Sequence, residues 1–255
     1  MSLLATQRLD VSIAGLRVCG DLTLEVEPGQ CWGMLGRNGV GKTTLLHTLA
    51  GIRPPDGGVV TFRGTPLSLL SRRRIAQGMA ILFQEHDDSF PSTVLETALV
   101  GRHPHLDPWQ WEGVEDIRIA RDALREMDIT HMERRWISTL SGGERRRLEI
   151  AAVLTQAPAL MLLDEPINHL DLHHQIAVLD TLTRRCQRNG TTLLMTLHDI
   201  NLTARYCDWL LLLFGDGEVR WGPTSEVLTE ENLTRLYHHP IHMVQGAARR
   251  VYYPD

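Results

Sequence analysis

The sequence has few cysteines and no excess of basic residues, and both absences exclude classes of protein. None of its four cysteines has the CxxC spacing typical of zinc ribbons and thiol oxidoreductases. The net charge of -5 argues against a nucleic-acid-binding protein, because such proteins carry a basic surface. Two arginine runs, Arg72–Arg74 and Arg145–Arg147, interrupt this pattern, and we expect both to be solvated helix faces.

Long apolar runs are also absent. No segment approaches the roughly 18 apolar residues that a membrane-spanning helix needs, and the N-terminus does not have the pattern of a signal peptide. We therefore expect a cytosolic protein with reduced thiols, which could still dock on a membrane protein. No internal repeat, low-complexity tract or long linker divides the chain, so residues 1–255 are expected to form a single domain.

The apolar patterns predict an α/β fold. The chain up to about Glu27 alternates apolar and polar residues, which is typical of half-buried antiparallel strands. Three later segments, Cys31–Leu35, Leu160–Leu163 and Thr191–Leu197, are short and almost continuously apolar, as expected of parallel strands covered on both faces. Helix formers are concentrated between residues 91 and 156, where we expect an inserted α-helical subdomain.

Residues 36–43 form a complete phosphate-binding P-loop pattern. Its glycines allow backbone N–H groups to turn towards phosphate oxygens, and the helix that follows presents the positive end of its dipole. Lysine at the end of the pattern can reach the β- and γ-phosphates, while the next hydroxyl can bind Mg²⁺. The residues expected to bind the nucleotide are Gly36, Arg37, Asn38, Gly39, Val40, Gly41, Lys42, Thr43 and Thr44.

A second motif indicates hydrolysis. The apolar strand Leu160–Leu163 is followed directly by Asp164 and Glu165. Asp164 at this position can hold Mg²⁺, and Glu165 can polarise a water molecule for in-line attack on the γ-phosphate.

A third motif, Leu140-Ser141-Gly142-Gly143-Glu144, precedes a predicted helix from Arg145 to Gln156. Between the P-loop and the Asp164-Glu165 strand, it resembles the signature loop of ATP-binding-cassette (ABC) ATPases. Further stretches match the same family in order: Gln84 resembles the Q-loop glutamine, the segment from Asn168 to Asp171 resembles the D-loop, and His198 resembles the switch histidine.

This resemblance implies a head-to-tail dimer that encloses two ATP molecules. Ser141, Gly142, Gly143, Glu144 and Asp171 would complete the P-loop site of a second copy. Glu165 would be the general base, His198 would contact the γ-phosphate, and Gln84 would sense Mg²⁺. Thr43, Gln84 and Asp164 would be the residues around the metal.

The sequence departs from the family pattern in two places. The family usually has an aromatic residue upstream of the P-loop that stacks on adenine, but here Trp32 is the first aromatic residue, and Ile13 or Leu16 occupies that region. Without this ring, we expect GTP to compete with ATP better than in a stacked site. In addition, Glu144 stands where glutamine is commonest.

Several stretches resemble the ATPases of importers for iron–siderophore complexes, haem and vitamin B12. Two of them are Phe90–Val94 and Val100–His105. The resemblance implies a transmembrane permease partner, a substrate-binding protein in the same system, and a position on the cytoplasmic face of the membrane. Two alternatives remain. One is a soluble ABC ATPase that acts on ribosomes or DNA, and the other is a regulatory subunit that binds nucleotide but hydrolyses it poorly.

Overall fold

The computed structural model describes residues 2–84, 91–246 and 250–255, which form two compact units. The first unit contains the chain up to Leu70 and from Thr192 onward, and the second contains Ser71–Thr191. Among the described residues, no helix is long and apolar enough to cross a membrane.

The elements are numbered in chain order. The strands are β1 (Leu4–Ile13), β2 (Leu16–Val26), β3 (Cys31–Leu35), β4 (Gly57–Phe62), β5 (Thr65–Pro66), β6 (Met79–Leu82), β7 (Leu160–Leu163), β8 (Thr192–Thr196), β9 (Trp209–Leu213), β10 (Val219–Pro223), β11 (Ile241–Gln245) and β12 (Arg250–Pro254). The α-helices are α1 (Lys42–Leu49), α2 (Arg72–Gly78), α3 (Val94–Leu99), α4 (Val114–Glu126), α5 (Gly142–Gln156), α6 (Leu172–Asn189), α7 (Ile200–Tyr206), α8 (Thr224–Val227) and α9 (Glu230–Tyr237).

The first unit begins with an antiparallel sheet in the order β2-β1-β4-β5. Strands β1 and β2 pair from Leu4↔Val26 to Ile13↔Leu16. Leu9 and Val11 are fully buried, whereas Arg8 is exposed and Asp10 is partly exposed, as the alternating pattern predicts. The prediction of an antiparallel N-terminal region is confirmed.

Strand β3 lies between β8 and β9 in the same unit and runs parallel to both. All five of its residues are buried, because the apolar side chains on both faces are covered. Strand β10 pairs antiparallel with β9 and forms a hairpin with it. The P-loop follows the carboxyl end of β3, and α1 begins directly after it at Lys42.

The second unit contains the parallel pair β6 and β7 and a group of helices in which α5 packs against α3 and α4. Helix α5 is capped by Ser141 at one end and by Ala157, in a left-handed conformation with φ 52°, at the other. Leu148, Ile150 and Leu154 form its buried face. The α/β fold class predicted from the sequence is confirmed.

Candidate functional site

The P-loop has a backbone that requires glycine at two positions. Gly39 and Gly41 have φ values of 79° and 96°, in the left-handed region. A Cβ atom on Gly41 would lie 2.4 Å from Cγ2 of Val18, so a larger residue would also collide with β2. The tip of the loop, Arg37 to Gly39, is exposed, whereas Val40 is buried beneath it.

Lys42 lies on the inner side of this loop. Its side chain is buried, and its Nζ atom donates hydrogen bonds to the carbonyl oxygens of Gly36 at 2.8 Å and Arg37 at 3.1 Å. Thr43 and Thr44 occupy the first turn of α1, where the positive end of the helix dipole lies. The loop therefore combines a fixed ammonium group with a helix N-terminus, which is an arrangement that binds phosphate.

His198 is exposed and lies between the end of β8 and the start of α7. The next residue, Asp199, caps α7 by accepting a hydrogen bond from the N–H of Leu202 at 2.8 Å. The N–H of Leu197 donates to the carbonyl of Met34, in the strand that leads into the P-loop. Because β3 and β8 are parallel neighbours, His198 leaves the sheet at the same edge as the P-loop.

Asp164 and Glu165 follow β7 in the second unit and are both buried. The Nε2 atom of Gln84 donates to Oε2 of Glu165 at 3.3 Å, and the amide of Asn168 donates to the same oxygen. Glu165 has a φ value of 48°, an uncommon conformation for a residue with a side chain. The structure thus brings together the predicted residues Gln84 and Glu165 and adds Asn168 to them.

Arg146 was wrongly predicted to lie on a solvated helix face. It is only 4% exposed, and its guanidinium group donates to the carbonyl oxygens of Phe83 and Glu165 at 2.8 and 2.9 Å. It also donates to the carbonyl of Asp164 and forms an ion pair of 2.6 Å with Glu149. The guanidinium group of Arg146 therefore holds the backbone of Glu165. It also holds the backbone of Phe83, the residue before Gln84.

Arg147 is also buried, and donates to the carbonyl of Met127 at 3.0 Å, so the prediction for this run is wrong at two positions. The sequence contained a weak signal of this burial. The run begins four residues after a helix cap, and consecutive residues of a helix point in different directions, so three arginines in a row cannot all lie on one solvated face. The other run, Arg72–Arg74, is exposed as predicted.

Ser141 and Glu144 form a capping box at the start of α5. The N–H of Ser141 donates to Oε2 of Glu144 at 2.7 Å, and the N–H of Glu144 donates to the Ser141 hydroxyl at 3.3 Å. The hydrogen bond from the backbone of Ser141 lowers the pKa of Glu144 below its usual range. Ser141 and Gly142 remain exposed, so the start of this helix is accessible.

Gly143 lies beside the segment from Asn168 to Asp171. A Cβ atom on Gly143 would be 3.4 Å from the carbonyl oxygen of His169, so the two loops touch. Asp171 caps α6, and its carboxylate accepts hydrogen bonds from the N–H and Nδ1 of His174 at 2.9 and 2.8 Å. Both bonds lower the pKa of Asp171, and the bond from the backbone N–H has the larger effect.

The first aromatic residue of the sequence cannot replace an adenine-stacking ring. Trp32 is fully buried in β3 and stacks on Trp209, with 5.2 Å between ring centroids. Ile13, in contrast, is 44% exposed at the end of β1, opposite Leu16. An exposed aliphatic side chain therefore occupies the hairpin end where the family pattern has an aromatic ring.

The stretch Val100–His105 forms a 3-10 helix that packs mainly on α5 and α3. Arg102 forms an ion pair of 2.8 Å with Asp116, and Nε2 of His105 lies 2.9 Å from the carbonyl of Gln156. A Cβ atom on Gly101 would be 2.3 Å from the carbonyl of Ala152, which excludes any other residue there. These contacts hold the helices together. Phe90, from the other stretch, lies outside the described residues.

Comparison with known proteins gives a consistent result. The sequence profile ABC_tran, described as ABC transporter, matches residues 19–168. The hemin import ATP-binding protein HmuV of Bordetella avium is 38% identical, with 92% of this chain and 91% of that protein covered. The iron(3+)-hydroxamate import ATP-binding protein FhuC of Bacillus subtilis is 35% identical, with 93% and 88% covered.

A solved structure also resembles the chain over its full length. It is described as an inward-facing conformation of a metal-chelate type ABC transporter, and it superposes with a TM-score of 0.87 at 29% identity. The alignment covers 100% of this chain and 98% of that one.

Proposed function

Because this chain belongs to the ABC transporter family and is an ATPase, we propose that it powers an importer as its nucleotide-binding subunit. The observation that carries the proposal is the contact of Gln84 with Glu165, which places an amide and a carboxylate at the end of a buried strand. The relatives are named as import ATP-binding proteins, and they align with nearly the whole chain. Their names support the transport role over the ribosome or DNA alternative.

The P-loop residues would bind the phosphate chain of ATP. Lys42 would exchange its two carbonyl partners for the β- and γ-phosphate oxygens, and the N–H groups around Gly39 and Gly41 would donate to the same oxygens. Arg37, Asn38, Val40 and Thr44 complete the loop and the first helical turn. A buried ammonium group beside two carbonyl oxygens gains a much stronger partner in a phosphate anion.

The donor set predicted from the sequence suits Mg²⁺, which prefers oxygen ligands. Asp164 is completely buried and acidic, and the hydroxyl of Thr43 and the side-chain oxygen of Gln84 are neutral oxygen donors. Mg²⁺ bound by these residues would screen the charge of the phosphates. We propose that Thr43, Gln84 and Asp164 hold it.

Glu165 would accept the proton of the attacking water. Two amide donors, from Gln84 and Asn168, hold its carboxylate, and Arg146 holds the backbone of the same residue. A carboxylate fixed in this way can accept a proton from the water that attacks in line, without reorganisation. His198 would contact the γ-phosphate and orient the water.

A second copy of the chain would complete each site. Ser141 and Gly142 are exposed at the N-terminus of the fifteen-residue helix α5, where N–H groups and the helix dipole favour an anion. Gly143 and Glu144 belong to the same turn, and Asp171 lies in the loop that touches it. We propose that this surface closes over the γ-phosphate of ATP held by the partner's P-loop.

The cargo and the partners are inferred from the relatives. Their names specify hemin and iron(3+)-hydroxamate, so we propose an iron–siderophore, haem or cobalamin-type metal chelate. The chain would dock on a permease at the cytoplasmic face of the membrane, in a system that includes a substrate-binding protein. It would act as one ABC ATPase domain with a helical subdomain at about residues 91–156.

Purification from the native membrane tests this proposal. The tagged chain, solubilised with a mild detergent, should co-purify with a polytopic membrane protein. It should lose this partner after a denaturing detergent is added. A Lys42→Ala chain is the matched control, because docking does not need phosphate binding. Recovery of ribosomes or DNA in place of a membrane protein would overturn the transport role.

A further inference from the structure

Two of the four cysteines lie side by side in the first unit. Cys31 begins β3 and Cys207 follows the last residue of α7, and the N–H of Asp208 donates to the carbonyl of Cys31 at 2.9 Å. The Sγ atom of Cys207 lies 3.0 Å from where a Cβ on Gly33 would be, on the same face of β3 as Cys31. The two thiols share a hydrogen bond.

The two sulfur atoms differ in access. Both side chains are buried, but Cys207 lines a cavity of about 500 Å³, together with Asn201, Arg205, Asp208, Arg250 and Tyr252. Cys31 does not line this cavity and lies behind Cys207. The space is many times the volume of a small peroxide, since about 30 Å³ holds one water molecule.

We propose that Cys207 and Cys31 are a dithiol that a hydroperoxide entering this cavity converts to a disulfide. Cys207 reacts first: its sulfur attacks the peroxide oxygen, forms a sulfenic acid and releases an alcohol, or water from hydrogen peroxide. The sulfur of Cys31 then attacks the sulfenic sulfur, and the hydroxyl group leaves as water with the proton of Cys31. Two thiols are oxidised by two electrons, and the peroxide is reduced.

The surroundings favour this order of reaction. Cys207 faces the cavity, where Arg205 and Arg250 are two basic residues of the lining and Asp208 is an acidic one. The hydrogen bond in which the Cys31 thiol donates to Cys207, followed by burial, raises the pKa of Cys31 well above its usual value. Cys31 therefore stays protonated until a sulfenic acid forms beside it.

The disulfide would connect two elements of the ATP site. Strand β3 leads into the P-loop, and α7 begins directly after His198. A covalent bond between the start of β3 and the end of α7 would restrict movement of His198 relative to the P-loop. Oxidation should therefore slow ATP hydrolysis as well as modify the thiols.

Peptide mapping of the intact chain tests the chemical step. After treatment with hydrogen peroxide and blocking of the remaining thiols, a Cys31–Cys207 peptide should form at least about ten-fold faster than any oxidation of Cys19 or Cys186. Burial raises the pKa of the Cys19 thiol to about 11, which makes it a slow internal control. Equal oxidation of all four cysteines, or none at Cys207, would overturn the proposal.

Two variants separate the roles of the thiols. Cys31→Ala should leave Cys207 as a sulfenic acid that dimedone traps, whereas Cys207→Ala should leave Cys31 reduced. Dimedone labelling of Cys31 in place of Cys207 would contradict the proposed order.

Hydrolysis measurements test the regulatory consequence. In a chain with Cys19→Ser and Cys186→Ser, peroxide should lower ATP turnover several-fold, dithiothreitol should restore it, and the additional Cys31→Ala change should abolish the effect. If the disulfide forms and turnover is unchanged, the switch is refuted while the modification site stands. An ATPase defect before oxidation would bear on the proposed function alone.

Discussion

The Nε2 atom of Gln84 lies 3.3 Å from Oε2 of Glu165. This contact connects the segment after β6 with the carboxylate after β7, and it joins residues that are far apart in the sequence. One oxygen of the Glu165 carboxylate is thus held by the side-chain amide of Gln84. The Oε1 atom of Gln84 is a separate oxygen that can face a metal ion.

The first prediction concerns Glu165. In Glu165→Gln the side chain keeps its size but cannot accept a proton, so ATP hydrolysis should fall by about 10²- to 10⁴-fold. The variant should still bind ATP and accumulate as an ATP-bound dimer, which size-exclusion chromatography with light scattering would detect. Glu115→Gln, on the exposed face of α4, is the matched control and should leave turnover unchanged. Wild-type turnover in Glu165→Gln would remove Glu165 as the base.

The second prediction concerns Lys42. Lys42→Ala removes the only ammonium group of the P-loop pattern, so the affinity for ATP should fall by at least about ten-fold, as expected for lost charge-assisted hydrogen bonds. Calorimetric titration with Mg²⁺-ATP would measure this loss. Arg53→Ala, beyond the end of α1, is a control for removal of a nearby cation. Unchanged affinity in Lys42→Ala would contradict the assignment.

The third prediction concerns Arg146. Arg146→Met fills a similar volume but leaves Glu149 and three carbonyl groups without their donor, so it should lower the free energy of unfolding by about 3–5 kcal/mol. Urea denaturation measures this change. Arg134→Met, at an exposed position of the same unit, should cost less than about 0.5 kcal/mol. Equal effects of the two changes would show that the Arg146 contacts contribute nothing.

The fourth prediction concerns the capping box of α5. The folded-state pKa of Glu144 is lowered from 4.5, so its contribution to stability is present above about pH 4.5 and is lost as the pH falls through the folded-state value. The free energy of unfolding of the wild type should therefore exceed that of Glu144→Ala by about 0.5–2 kcal/mol at neutral pH, and by less in acid. Denaturation curves at several pH values would show this convergence. A constant difference would refute the charge-dependent cap.

The fifth prediction concerns the adenine end of the site. Without an aromatic ring the site forgoes stacking worth about 1–3 kcal/mol per base, so GTP should compete with ATP more effectively than in a stacked site. Ile13→Tyr should strengthen ATP binding, and Ile13→Val is the control that adds no ring. Competition experiments with fluorescent ATP would measure both. Strong discrimination against GTP in the unchanged chain would refute this explanation.

The sequence was sufficient where the information is local. The P-loop, the strand before Asp164 and the signature motif at Ser141 each depend on a few consecutive residues, and the fold class followed from apolar patterns that are also local. Burial of Arg146 was missed because it depends on carbonyl groups contributed by distant segments. The contact of Asn168 with Glu165 and the pairing of β11 with β12 were missed for the same reason, since both are tertiary.

The central claim is that each ATP site is built from two copies of the chain. Mixing two inactive variants tests it directly: Lys42→Ala has a defective P-loop, and Ser141→Arg has a defective signature loop. In a mixed dimer, one site combines both defects, and the other combines an intact P-loop with an intact signature loop. We predict that ATP hydrolysis, absent in either variant alone, reappears on mixing. A mixture as inactive as its two components would contradict the composite site.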